Sequence, residues 1–156
     1  MQTAELIKEQ FPYEVDFTED ERLREIDFGI LDGLTKHGIA HQYPQEAERK
    51  KRVGKYYFRA MAGENYPDVA LRVHSFLGTL TREAAGESVL VVCHSVVVLI
   101  FRKLLERLSE KELLDIDKAQ DVLNCSVTHY VFDPNAGKNG KLVLRCFNRQ
   151  YAAAGT

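Results

Sequence analysis

The sequence predicts an α/β fold, a three-layer sandwich with a mainly parallel sheet that closes on a C-terminal β-hairpin. Between Pro67 and Leu108 an amphipathic pattern, a continuous apolar run and a second helical pattern follow one another without a break, the order expected of an α/β sandwich. Near the end, the octet Asp133 to Gly140 (DPNAGKNG) is dense in turn formers and separates two strand-like runs. The chain has 156 residues, 45% of them hydrophobic. That is enough for one sizeable core, and residues 1–156 read as a single domain.

Each element has its own signal. Thr3 to Glu9 reads as a short helix, Tyr13 to Phe17 as a short strand and Glu46 to Arg59 as a highly charged helix. From Pro67 to Ala84 the residues Val69, Val73, Phe76, Leu77 and Leu80 recur at helical steps, with Asp68 and Arg72 paired one turn apart. Gly86 ends that helix. Ser88 to Cys93 (SVLVVC) is uninterrupted and rich in valine, as in a parallel strand buried on both faces. A helix over Val96 to Leu108 follows. Ser126 to Phe132 and Leu142 to Phe147 mix β-branched, aromatic and polar residues and read as the antiparallel pair around the octet.

Composition excludes several function classes. A net charge of −2 gives no global attraction to nucleic acid or to an anionic membrane. The first ten residues carry Glu5, Lys8 and Glu9 and form no secretory signal. The longest apolar region, Val89 to Phe101, is broken by His94 and Ser95 and is shorter than the roughly 20 residues of a membrane span. Cys93, Cys125 and Cys146 are odd in number and widely spaced, which fits neither a disulfide framework nor a zinc ribbon. These features together point to the reducing cytoplasm.

The most informative pair is His94-Ser95, where a buried strand gives way to a helix. In open α/β sheets ligands collect at the carboxyl ends of strands, and the free N–H groups of a helix start favour anions. His94 there either faces a phosphate-sized pocket or merely caps the turn, and position alone leaves both open.

Several stretches in order break that tie. Leu23-Arg24-Glu25-Ile26-Asp27-Phe28-Gly29 with Asp32-Gly33, Gly63-Glu64-Asn65 with Asp68 and Arg72, Val91-Val92-Cys93-His94-Ser95, and Asn124-Cys125-Ser126-Val127-Thr128 with Phe147-Asn148 together resemble the phosphoglycerate-mutase-like histidine phosphatase superfamily over essentially the whole chain. The resemblance implies a metal-independent phosphomonoesterase that works through a phosphohistidine and needs no cofactor. His94 would be the second histidine, donating to the oxygens of the transferring phosphoryl group. Glu25 would protonate the leaving oxygen and then activate water. Ser95 would offer its backbone N–H, or simply cap the helix. Arg59, after the aromatic run Tyr56-Tyr57-Phe58, is the candidate for selecting a small phosphorylated substrate.

The sequence also departs from that pattern. No Arg-His-Gly occurs anywhere in it, so the attacking histidine the family uses is absent, and Met1-Gln2-Thr3-Ala4-Glu5 resembles the middle of a family segment. The domain therefore reads as N-terminally incomplete, by a misplaced start codon, a deliberate truncation or a real loss. The family's first two strands flank the one ending at the second histidine, so Ser88 to Cys93 is expected to lack neighbours. Its edges would be filled by another chain, closed by a rearranged sheet, or left exposed and prone to homo-oligomer formation. A non-catalytic pseudo-phosphatase that binds phosphorylated ligands or a protein is the competing reading, and a phosphomutase is a further one.

Other residues read as structural. In Glu46 to Lys55 glutamates interleave with the basic residues, as on a solvated helix face. His37 and His41 have the spacing of metal ligands on one helix face, but Gly38 and the lack of a third ligand argue against a site. His74 sits on the polar side of its helix and His129 in a hairpin strand. Cys93 lacks the arginine of a thiol phosphatase loop, since Leu99 stands in its place, and reads as a small core residue.

Overall fold

A computed structural model describes residues 2–151. Six helices and one hairpin are formed: α1 (Gln2–Lys8), α2 (Lys36–Gln42), α3 (Pro44–Val53), α4 (Tyr66–Glu83), α5 (Ser95–Glu106), α6 (Glu110–Ala119), then β1 (Val127–Asp133) and β2 (Lys141–Arg149). Two short 3-10 turns, Glu21–Leu23 and Gly29–Leu31, punctuate the loop before α2.

The centre of the molecule is α4 packed on α5. α4 starts on a reciprocal cap, in which Asn65 Oδ1 accepts from the Asp68 N–H at 3.0 Å and the Asp68 carboxylate accepts from the Asn65 N–H at 2.9 Å. Pro67 sits in its first turn, where a missing N–H costs nothing. Its buried residues Tyr66, Val69, Val73 and Phe76 follow the helical period. They meet Val97, Leu99 and Ile100 of α5, with Phe76 edge-on to Phe101 at 6.0 Å. α6 carries a second reciprocal cap, Ser109 with Glu112, and adds Leu113 to this core. A smaller cluster of Leu31, Phe58 and Ala60 lies under α2 and α3.

The hairpin is fastened to α5 through a nearly buried arginine. Arg102 makes two bonds to Glu106 at 2.8 and 2.9 Å and lies over the Phe147 ring at 4.2 Å. Tyr130 donates to the same Glu106 carboxylate at 2.6 Å. The register slips twice between Val127 and Tyr130, and at that bulged end Asn148 takes a left-handed conformation, accepting from the Leu123 N–H and donating to the Asp121 carbonyl.

Several expectations need correction. Among the described residues the only sheet is the antiparallel β1–β2 pair, so no mainly parallel sheet forms and the sandwich has no middle layer within this chain. Ser88 to Cys93 forms no strand, and none of its backbone groups bonds to another described backbone segment. Val89, Leu90 and Val92 are 48%, 60% and 36% exposed, whereas Val91 and Cys93 are partly covered. Local β preference alone cannot make a strand, because ladder bonds require a neighbour and no other extended segment lies alongside. Tyr13 to Phe17 is likewise irregular, with Tyr13 and Phe17 exposed. The charged helix is α3, which begins two residues earlier than expected and stops where Gly54 adopts φ 85°. Lys55 to Arg59 therefore lie in a turn segment rather than in a helix.

Candidate active site

The site is assembled from two loops and one helix start. The first loop, residues 20–29, is held by its own bonds and by α4: Asp20 accepts from the Arg22 N–H at 2.9 Å and opens the first 3-10 turn. Arg22 then reaches Ser75 and Thr79 of α4 and lies over the Phe76 ring at 5.5 Å. Leu23 and Ile26 point into the core. Between them Arg24 and Glu25 are left outside.

The second loop, residues 60–64, presses backbone against backbone on the first. A methyl group at Gly29, which has φ 54°, would lie 2.1 Å from the Met61 carbonyl oxygen, and one at Gly63 would lie 2.8 Å from the Asp27 carbonyl oxygen. Only glycine permits this approach. Across the contact the Glu64 N–H donates to the Asp27 carbonyl at 2.7 Å. The Glu64 carboxylate in turn takes Arg24, Arg72 and the Asp27 N–H. Burial alone would raise its pKa, but the hydrogen bonds from Arg72 and Arg24 outweigh that and hold it below the usual glutamate range.

Glu25 and the His94-Ser95 corner come together. The Ser95 hydroxyl donates to Glu25 Oε2 at 3.3 Å across 70 residues of sequence, and the Ile26 N–H donates to Oε1 at 2.9 Å. His94 stands at the N-cap of α5 in extended conformation, and its side chain makes no capping bond. The helix-capping alternative is therefore excluded for its imidazole. Ser95 is the first helical residue, so it is not the cap either, and its side chain engages Glu25. Its N–H has no acceptor among the described residues. Carboxylate, hydroxyl and an open helix start thus share one corner next to His94 in the chain, a set suited to holding an anionic oxygen and moving a proton.

The remaining candidates fall elsewhere. Arg59 is paired with Asp68 at the start of α4, and no hydrogen bond joins it to Glu25, His94 or Ser95. Cys93, next to His94, is mostly covered, and burial pushes its thiol up to about 11, which leaves it a poor nucleophile. His37 and His41 are exposed on α2, and among the described residues no three His, Cys, Asp or Glu side chains gather around a metal-sized gap. Glu64 and Arg72, whose contacts reach the Glu25 loop most directly, were part of the recognised motif, but sequence assigned them no task.

The model of the histidine phosphatase superfamily (branch 1) matches residues 1–143. The chain belongs to that superfamily. Among family members with a curated name, the Caenorhabditis elegans 6-phosphofructo-2-kinase/fructose-2,6-bisphosphatase is 33% identical over 145 residues, covering 88% of this chain and 30% of that protein. The human 6-phosphofructo-2-kinase/fructose-2,6-bisphosphatase 3 is 37% identical over 98 residues, covering 63% of this chain and 17% of its own length. The chain thus spans less than a third of these relatives. Two solved structures share its fold: Bacillus stearothermophilus YhfR, with TM-score 0.71 at 24% identity over 92% of this chain and 67% of that one, and a mycobacterial glucosyl-3-phosphoglycerate phosphatase, with TM-score 0.73 at 22% identity over 95% and 70%. The helices and hairpin of this histidine phosphatase domain are therefore arranged as in a phosphoglycerate-mutase-like α/β fold.

Proposed function

We propose that this chain carries the proton-transfer and phosphate-stabilising part of a histidine-type phosphomonoesterase. The observation that supports it is the Ser95–Glu25 hydrogen bond, which joins the two motifs expected to flank one phosphate. In the reaction a neutral imidazole attacks phosphorus, a nitrogen–phosphorus bond forms, and the ester oxygen leaves with a proton from Glu25. Water then attacks the phosphohistidine and gives its proton to Glu25, the nitrogen–phosphorus bond breaks, and phosphate departs. His94 and the open N–H groups of α5 stabilise the charge on the transferring group in both steps.

No Arg-His-Gly occurs in the 156 residues. That fact favours one second reading, a domain that binds phosphorylated ligands without turning them over. The relatives named as bisphosphatases suggest a substrate with two anionic groups.

Titration with inorganic phosphate followed by 31P NMR tests the phosphate site. Binding that weakens about tenfold or more in His94→Ala is expected, from the loss of one charge-assisted contact worth about 1.5 to 3 kcal/mol. Absence of binding, or binding indifferent to His94, sinks the proposal. Hydrolysis of p-nitrophenyl phosphate checks the attacking group: the chain should turn over almost none, and robust metal-independent turnover would mean that one of its own histidines attacks.

A further inference from the structure

We propose that Glu64 and Arg72 are a positioning pair for Glu25, holding the backbone of residues 22–27 so that the Glu25 carboxylate meets the start of α5. The inference rests on the reading of Glu25 as the group that moves the proton, and it names the device that places it.

Arg72 projects from the second turn of α4 and its side chain is only 12% exposed. It donates to the carbonyl oxygens of Arg22 and Glu25, the latter at 3.3 Å, and to both carboxylate oxygens of Glu64 at 3.1 and 3.2 Å. Glu64 binds the Arg24 guanidinium at 2.8 and 3.0 Å and the Asp27 N–H at 3.1 Å. Of the six residues from 22 to 27, four are gripped by this pair, and Leu23 and Ile26 are fixed by the core instead. Glu25 therefore has little backbone freedom.

The division of charge gives the arrangement its chemical sense. Both guanidiniums near Glu25 are bonded to Glu64, and Arg72 touches Glu25 only at its backbone carbonyl. The Glu25 carboxylate itself is bonded to a neutral hydroxyl and a neutral amide. An acid/base group must gain and lose a proton in each cycle, and a directly bonded arginine would oppose its protonation. Glu64 absorbs the positive charge while the loop is still held by charge-assisted bonds. Arg72 and Glu64 act through Glu25 and touch no substrate in this role.

The Ile26 amide provides the test, because its N–H donates to Glu25 Oε1 and its NMR shift reports protonation of that carboxylate. The full chain would be titrated with acid as wild type, Arg72→Lys, Glu64→Gln and Arg102→Lys, with Glu25→Gln to assign the step. The expected result is a clear Ile26 step in wild type that is lost in Arg72→Lys and in Glu64→Gln, while the core amides of Val97 and Leu113 stay in place. Arg102→Lys breaks an unrelated two-bond pair on α5 and should lower the melting temperature with the Ile26 step intact. An unchanged step in whichever of the two variants remains folded overturns the proposal, as does equal loss of the step in Arg102→Lys, which would make the effect one of general stability. The readout involves no turnover, so failure of the phosphate titration with His94→Ala would remove the phosphatase reading and leave this result standing.

Discussion

At the scale of single residues, the chemistry of the corner was written in the chain more clearly than its geometry. The family was legible because the motifs around Glu25 and His94 follow one another in a distinctive order along the chain. The bond between Ser95 and Glu25 was not, since it depends on how two loops meet over 70 residues. Arg59 illustrates the converse: an exposed arginine after an aromatic run looks free in sequence, yet Asp68 claims it. Glu64 should also contribute to the acid limb of stability. Its carboxyl is held below the ordinary value of 4.5, so the folded state binds fewer protons than the unfolded one in that range. The stabilisation is present above pH about 4.5 and is lost as the pH falls through the folded value. Urea midpoints measured across that window should drop steeply for the wild type and less steeply for Glu64→Gln; parallel curves would refute the assignment. Among the thiols, Cys125 is exposed whereas Cys93 is held protonated by burial. Iodoacetamide at neutral pH should therefore label Cys125 first, and early labelling of Cys93 would contradict its cover.

At the scale of elements, helices with caps and apolar stripes were readable and pairings between distant segments were not. α4 carried both its period and its cap in the sequence. α6 carried the signal as well, since Ser109 and Glu112 have the spacing of a reciprocal cap, but its apolar face is too thin to stand out beside the charges. The contact between residues 27–29 and 60–64 has no signal of its own beyond two glycines. It yields a sharp prediction. Gly29→Ala must take a left-handed conformation and also displace the Met61 carbonyl, at a cost of about 3 kcal/mol or more. Chemical denaturation should show that loss, while Gly137→Ala, which has open space around it, should lose only its backbone term of about 1 kcal/mol. Equal losses would show that the loop contact is loose.

At the scale of the whole molecule, the expected parallel layer does not form among the described residues. The α4–α5 and α5–α6 helix contacts and the hairpin join segments close in sequence, whereas a parallel strand needs neighbours brought from far along a chain. Ser88 to Cys93 therefore displays uncharged residues and free backbone groups on both edges, the condition under which strands recruit other strands. We propose that copies of this chain associate through these edges. Size-exclusion chromatography over a range of concentrations should show mass rising with concentration, and a monomer at every concentration would overturn the proposal.

The same unpaired run also predicts where the molecule breathes. In the monomer, at low concentration, amide protons from Val89 to Cys93, bonded to no other backbone segment, should exchange with deuterium almost as fast as in a peptide, while those a few residues on, at Leu99 and Ile100 within α5, should be among the slowest. A steep boundary between fast and slow exchange would then fall at His94, so that the proposed phosphate site lies on the seam between an unbonded stretch of backbone and one of the most enclosed.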